Sequence, residues 1–157
     1  FLVSNDYGVE NWQGIKTNIK KVCFLASLMV LSILGFFYFH IETIIRFFDK
    51  NGEFTELAAY AYPFLSVLVF FDLVQLILSG ALRGAGNVRI VMFVRIIICF
   101  GYFVPISYIV SQLSLTTPVK FILIYGSFYF GNALMNIAYI TRLRSEEWKV
   151  SSIKGNV

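Results

Sequence analysis

The sequence predicts an all-α integral membrane protein built on four transmembrane helices. Two observations carry that reading. Of the 157 residues, 58% are hydrophobic, 18% are aromatic and only 14% are charged, against about 25% charged in an ordinary soluble domain. The apolar residues are also gathered into four runs, each able to cross a hydrocarbon core of roughly 30 Å, and mean hydropathy is +0.75. Four such runs make one bundle rather than two domains. The net charge of +4 does not point to nucleic acid, because the lysines and arginines fall between the apolar runs. There they set topology and meet lipid head groups.

In chain order, residues 1–21 read as a cytoplasmic loop and an interfacial helix, with Ile15, Ile19 and Val22 at helical spacing and Trp12 suited to the head-group level. The first span covers about 22–47, and His40 and Glu42 near its outer end read as an interfacial polar pair. Asp49-Lys50-Asn51-Gly52 is a turn, after which the second span covers 57–82. Pro63 removes a backbone donor there and should kink the helix. Arg83 to Arg89, with Gly84 and Gly86, forms a short flexible connection. The third span, 90–110, has Arg95 near its start, within snorkelling reach of the head groups, and Pro105 two-thirds along. The fourth, 119–140, contains Gly126, Gly131, Ala133 and Ala138, which allow close helix approach. Residues 141–157 form a polar tail.

Basic residues set the expected orientation. Lys16, Lys20, Lys21, Arg83, Arg89, Arg142, Arg144, Lys149 and Lys154 would lie on one side, against Arg46, Lys50 and Lys120 on the other. That bias puts both termini in the cytoplasm. The two cysteines, Cys23 and Cys99, sit within apolar runs as packing residues, and His40 is the only histidine. No metal-ligand or nucleophilic constellation gathers in any loop, so an enzyme is not expected. The chain opens on Phe1 rather than an initiator Met, which points to a fragment of something longer.

One residue is out of place. Asp72 lies roughly 15 Å and 22 Å from the two ends of the second span, near the midplane, where a carboxylate marks an ion pathway by default. Gln75, Ser79 and Arg83 fall within about 60° of it around the helix, giving one polar stripe on an apolar cylinder. The stripe could be structural, with a protonated Asp72 hydrogen-bonded to neighbouring helices. It could instead be functional, with Asp72 alternating between a proton and a bound cation such as sodium.

The pattern Asp72-x-x-Gln75-x-x-x-Ser79-Gly80-x-Leu82-Arg83-Gly84-x-Gly86-Asn87 resembles the tenth helix and following loop of the multidrug and toxic compound extrusion (MATE) transporters. Ser4-Asn5-x-x-Gly8, Leu57-Ala58 and Val104-Pro105 with Tyr108 also look like that family's pattern. The resemblance implies the last four helices of the second lobe in a twelve-helix, two-lobe transporter fold. It implies organic-cation export in exchange for sodium or protons, with Asp72 as the coupling carboxylate, supported by Gln75, Ser79 and Arg83. Gly84, Gly86, Pro63 and Pro105 would then be hinge or turn positions. Partners would be membrane lipid, the remainder of the transporter and organic cations, with no cofactor beyond the coupling ion. The expected setting is a bacterial inner membrane. Leu68 stands where some relatives carry an aromatic residue, and Arg95 has no counterpart in the pattern. The alternatives are a lipid-linked saccharide flippase of the same superfamily and a small structural membrane protein.

Overall fold

The computed structural model describes residues 2–49, 53–145 and 147–149, which are helical apart from short connections. Helix α1 (Leu2–Gly8) precedes α2 (Trp12–Phe48), and α3 (Glu53–Gly84) follows. The third span is α4 (Val88–Ile98), a π turn at Cys99–Phe103 and α5 (Val104–Gln112). Helix α6 (Thr117–Arg144) and a 3₁₀ turn at Glu147–Lys149 complete the described chain. Four helical stretches are long and apolar enough to cross a membrane: 12–47, 55–84, 88–112 and 117–144. Of the turn expected at Asp49–Gly52, residues 50–52 lie outside the described residues, as does the tail beyond Lys149.

No separate interfacial helix leads into the first span. Asn11 caps α2 by accepting from the Gly14 amide at 3.0 Å, and from Trp12 onward the helix is continuous. At about 1.5 Å per residue its 37 residues outrun any bilayer core, so the amphipathic start and the span are one rod. The only break is the one between α1 and α2. There the amide of Glu10 bonds the Tyr7 carbonyl and that of Asn11 bonds the Asp6 carbonyl, with Glu10 at φ 54°. That pairing is a Schellman stop. The same motif ends α3, where Gly86 at φ 77° bonds the Arg83 carbonyl and Asn87 bonds the Leu82 carbonyl. The connection expected to be flexible at Gly84 and Gly86 is therefore a defined helix stop. Only Gly86 needs its glycine for conformation; Gly84 lies under Val3 of α1, whose Cβ is 3.4 Å from where a Cβ on Gly84 would sit.

Pro63 lies within α3, which remains one helix from Glu53 to Gly84. Pro105 acts differently. The turn just before it widens, and the amide of Val104 bonds back to the carbonyl of Cys99, five residues earlier. A widened turn relieves the clash between the pyrrolidine ring and the preceding carbonyls. It also presents Phe103 to α6, where that ring stacks on Phe128 at 5.5 Å. Gly131 receives the edge of Phe103, and any Cβ at 131 would overlap that ring. Of the small residues in the fourth span, Gly131 is thus the one a neighbour fills.

Helix α3 is the centre of the bundle, packed on α6 along its length, on α2 from the other side, and on α1 and α4 near its end. Tyr62 ties it to α2 by donating to the Leu34 carbonyl at 2.7 Å. Asp49, after α2, accepts from the amide and hydroxyl of Thr55 at 2.8 and 3.0 Å, anchoring the start of α3. Most large side chains of α2 remain exposed, as expected of a lipid-facing or partner-facing rod.

The two described ends of the chain meet at one end of the bundle. Trp148 is fully buried there, with its ring 5.5 Å from Trp12 and 6.3 Å from Tyr7. Its indole donates to the Leu143 carbonyl at 2.9 Å, and its own carbonyl accepts from Asn87 at 3.0 Å. Tyr7 donates to the Lys149 carbonyl at 3.1 Å. Asn87 thereby joins the α3–α4 turn to the C-terminal segment.

The Phe103–Gly131 contact supplies a test. Gly131→Ala should destabilise the purified protein by about 1–3 kcal/mol, the usual cost of overpacking, and Phe103→Leu in the same background should recover part of the loss. Thermal unfolding in detergent reads both.

Candidate functional site

The polar stripe of α3 is divided by depth into three environments. Asp72 is half-buried against α6, Gln75 and Ser79 are buried in the α3–α6 seam, and Arg83 is exposed at the end of the helix. The Ser79 hydroxyl turns back to its own helix, donating to the Leu76 carbonyl at 3.1 Å. Arg83 does the same, with its Nε 3.3 Å from the Ser79 carbonyl. The stripe is therefore not one site. Ser79 and Arg83 satisfy local backbone, and only Asp72 and Gln75 reach across to the neighbouring helix. Pro63, Pro105, Gly84 and Gly86 are placed by the fold away from this contact, in the roles described above.

The partner surface is on α6. Helices α3 and α6 run parallel, so contacts advance in step: Leu68 beside Gly126, Asp72 beside Asn132, Gln75 beside Met135. Asn132 donates to Asp72 Oδ1 at 3.0 Å. One turn on, Asn136 donates to the Phe71 carbonyl at 2.8 Å, while its buried Oδ1 accepts no hydrogen bond. Gln75 lies 3.7 Å from the Met135 sulfur. Tyr139, fully buried, places its hydroxyl 3.5 Å from the Val91 carbonyl. Tyr129 lies on the same face of α6, one turn before Asn132.

Tyr129, Asn132, Asn136 and Tyr139 are the residues that sequence reasoning missed. Their spacing of three, four and three is the period of one helix face, so the signal was present in the fourth span. The small residues of the same span drew the reading toward packing instead. The two asparagines supply what the stripe on α3 lacks, which is cross-helix amide donors at the level of the carboxylate.

Charge is the decisive feature. Among the described residues Asp72 has no cationic partner, and its one hydrogen bond comes from a neutral amide. No three His, Cys, Asp or Glu side chains cluster as a metal site among those residues. A carboxylate so placed can be neutralised by a proton or by a mobile cation. Arg95 is exposed on α4 and makes no ion pair with Asp72.

The Asp72–Asn132 bond is open to a double-mutant cycle. With Asp72→Leu and Asn132→Leu, alone and together, thermal unfolding should give a coupling of about 0.5–2 kcal/mol, the range of hydrogen bonds between membrane helices. A coupling indistinguishable from zero would remove the contact from the site.

A family model described as MatE matches residues 1–109 of the chain, from α1 through the stripe and into α5. No curated protein and no solved structure matches it. Helix α6, which carries Asn132, lies beyond the matched residues. The match covers more than half of the chain and includes the Asp72 to Asn87 segment, whose pattern had already pointed the same way. The chain belongs to the MatE family of membrane transporters.

Proposed function

We propose that this chain forms part of a cation-coupled antiporter, in which Asp72 exchanges a proton or sodium ion for an organic cation. The observation that carries the reading is the lone carboxylate. Asp72 sits midway along α3, half-buried, with a neutral amide at 3.0 Å and, among the described residues, no cation paired to it. A carboxylate can carry a proton or pair with a cation, and each displaces the other. Occupancy by a proton and occupancy by a cation then exclude each other, which is the requirement for exchange. Asn132 orients the carboxylate by donating to it in either state. Gln75, buried just below, lines the same seam without competing for the charge.

The export of drugs or other organic cations, a bacterial inner membrane and cytoplasmic termini belong to the same proposal. They are supported by family membership and by the nine-to-three excess of basic residues on the side of the termini. The meeting of Tyr7 and Trp12 with Trp148 at one end of the bundle agrees with an even number of crossings.

Asp72→Asn tests the reading, because the amide retains shape and hydrogen bonding and loses only the charge. In the intact transporter, ion-coupled efflux of a fluorescent organic cation from everted vesicles should fall to background while expression is unchanged. Repeating the assay with and without a sodium gradient identifies the coupling ion. Full efflux by Asp72→Asn would overturn the assignment.

A further inference from the structure

A groove at the end of the bundle where the described chain ends meet has no part in the exchange chemistry. It is a cavity of about 370 Å³ between the first turns of α2 and the last turns of α6. Lys16, Lys20 and Arg144 line it. Its floor is apolar, with the buried Ile15 and Trp148 at the water side and Ile19, Leu143 and Ile140 toward the apolar runs. Cationic rim and apolar floor together fit an amphipathic anion.

Depth identifies which one. Lys20 and Lys21 are the last charges before the apolar run that starts at Val22, and Arg142 and Arg144 are the first after the run that ends at Ile140. Arg144 lies only about 6 Å along the helix beyond Ile140. The rim thus sits at the level of lipid phosphates, and the floor continues toward the acyl chains through Ile19 and Ile140. Lys16 and Lys20 are one turn apart on α2, on the same face as each other. A water-soluble phosphate would use the rim and leave the apolar floor wet, whereas a phospholipid satisfies both.

We infer that this groove binds an anionic phospholipid, with its phosphate held by Lys20 and Arg144 beside Lys16 and an acyl chain laid along Ile19 and Ile140. The site is distinct from Asp72, which lies midway along α3, and it holds whichever ion drives exchange. A lipid seated there bridges the start of α2 and the end of α6, two elements that otherwise meet mainly through α3 and the buried Trp148. It therefore clamps the end of the bundle from the membrane side.

Native mass spectrometry of the purified full chain, released from micelles containing phosphatidylglycerol and phosphatidylcholine, tests the inference. Phosphatidylglycerol should be retained preferentially. Lys20→Gln with Arg144→Gln should weaken its retention about twenty-five-fold, from two surface contacts each worth roughly fivefold. Lys20→Arg with Arg144→Lys should retain it. Arg46→Gln with Lys120→Gln removes the same charge from the opposite end and should leave retention unchanged. Equal retention of the two lipids by the unmodified chain overturns the proposal without recourse to any variant. An equal loss from the Arg46 and Lys120 pair also overturns it, since net charge alone would then explain binding.

Discussion

The hydrogen bond from Asn132 to Asp72 is the interaction around which the intramembrane part of the structure is arranged. A carboxylate at that depth cannot face lipid, so the helix that carries it must turn the carboxylate toward protein or water. Once α3 is rotated to bring Asp72 to Asn132, its period places Gln75, Leu78, Ser79 and Leu82 in the same seam, and these are buried. On α6 the matching residues are Asn132, Met135, Asn136 and Tyr139, also buried. Apolar area contributes little to this association, because lipid tails are as apolar as leucine; packing and interhelical hydrogen bonds hold it. Gly131 serves the same seam from its flank by admitting Phe103.

The end of the bundle obeys different physics. Ile15, Ala85 and Trp148 are buried at the water-facing end, with Tyr7 and Trp12 packed against them. There the hydrophobic effect operates in full, at about 1.5–3 kcal/mol for each large apolar side chain removed from water, and aromatic pairs add about 0.5–1.5 kcal/mol. Asn87 couples the two regimes. It closes the Schellman stop of α3 through its amide and holds the Trp148 carbonyl through its side chain. A movement of α3 that carried Asp72 would therefore be felt at the C-terminal segment through Asn87 as well as through the α3–α6 seam.

Pro63 and Pro105 show how the same residue type can have different outcomes. Both lack an amide proton and both threaten the carbonyls one turn back. At Pro63 the helix runs on, while at Pro105 the preceding turn adopts the π form with the Val104 to Cys99 bond. The widened turn then becomes a structural element in its own right, because it aims Phe103 into the glycine notch of α6.

Much of this was legible in the sequence. Low charge, long apolar runs and the breakers between them determined four helices, since each must satisfy its backbone internally to cross a membrane. The lone Asp72 stood out because a charge inside an apolar run has no cheap explanation. Its segment also carried the MatE pattern. What the sequence left open was which side chains meet. Asp72, Gln75, Ser79 and Arg83 share a helix face, but a helix fixes only the spacing along itself. Rotation and register against α6 decided that Asp72 meets Asn132 while Ser79 and Arg83 fold back on their own backbone. The continuity of α2 through Trp12–Lys21 and the burial of Trp148 were tertiary decisions as well. The burial of Trp148 depends on contacts between segments at opposite ends of the chain, and local periodicity holds no record of it.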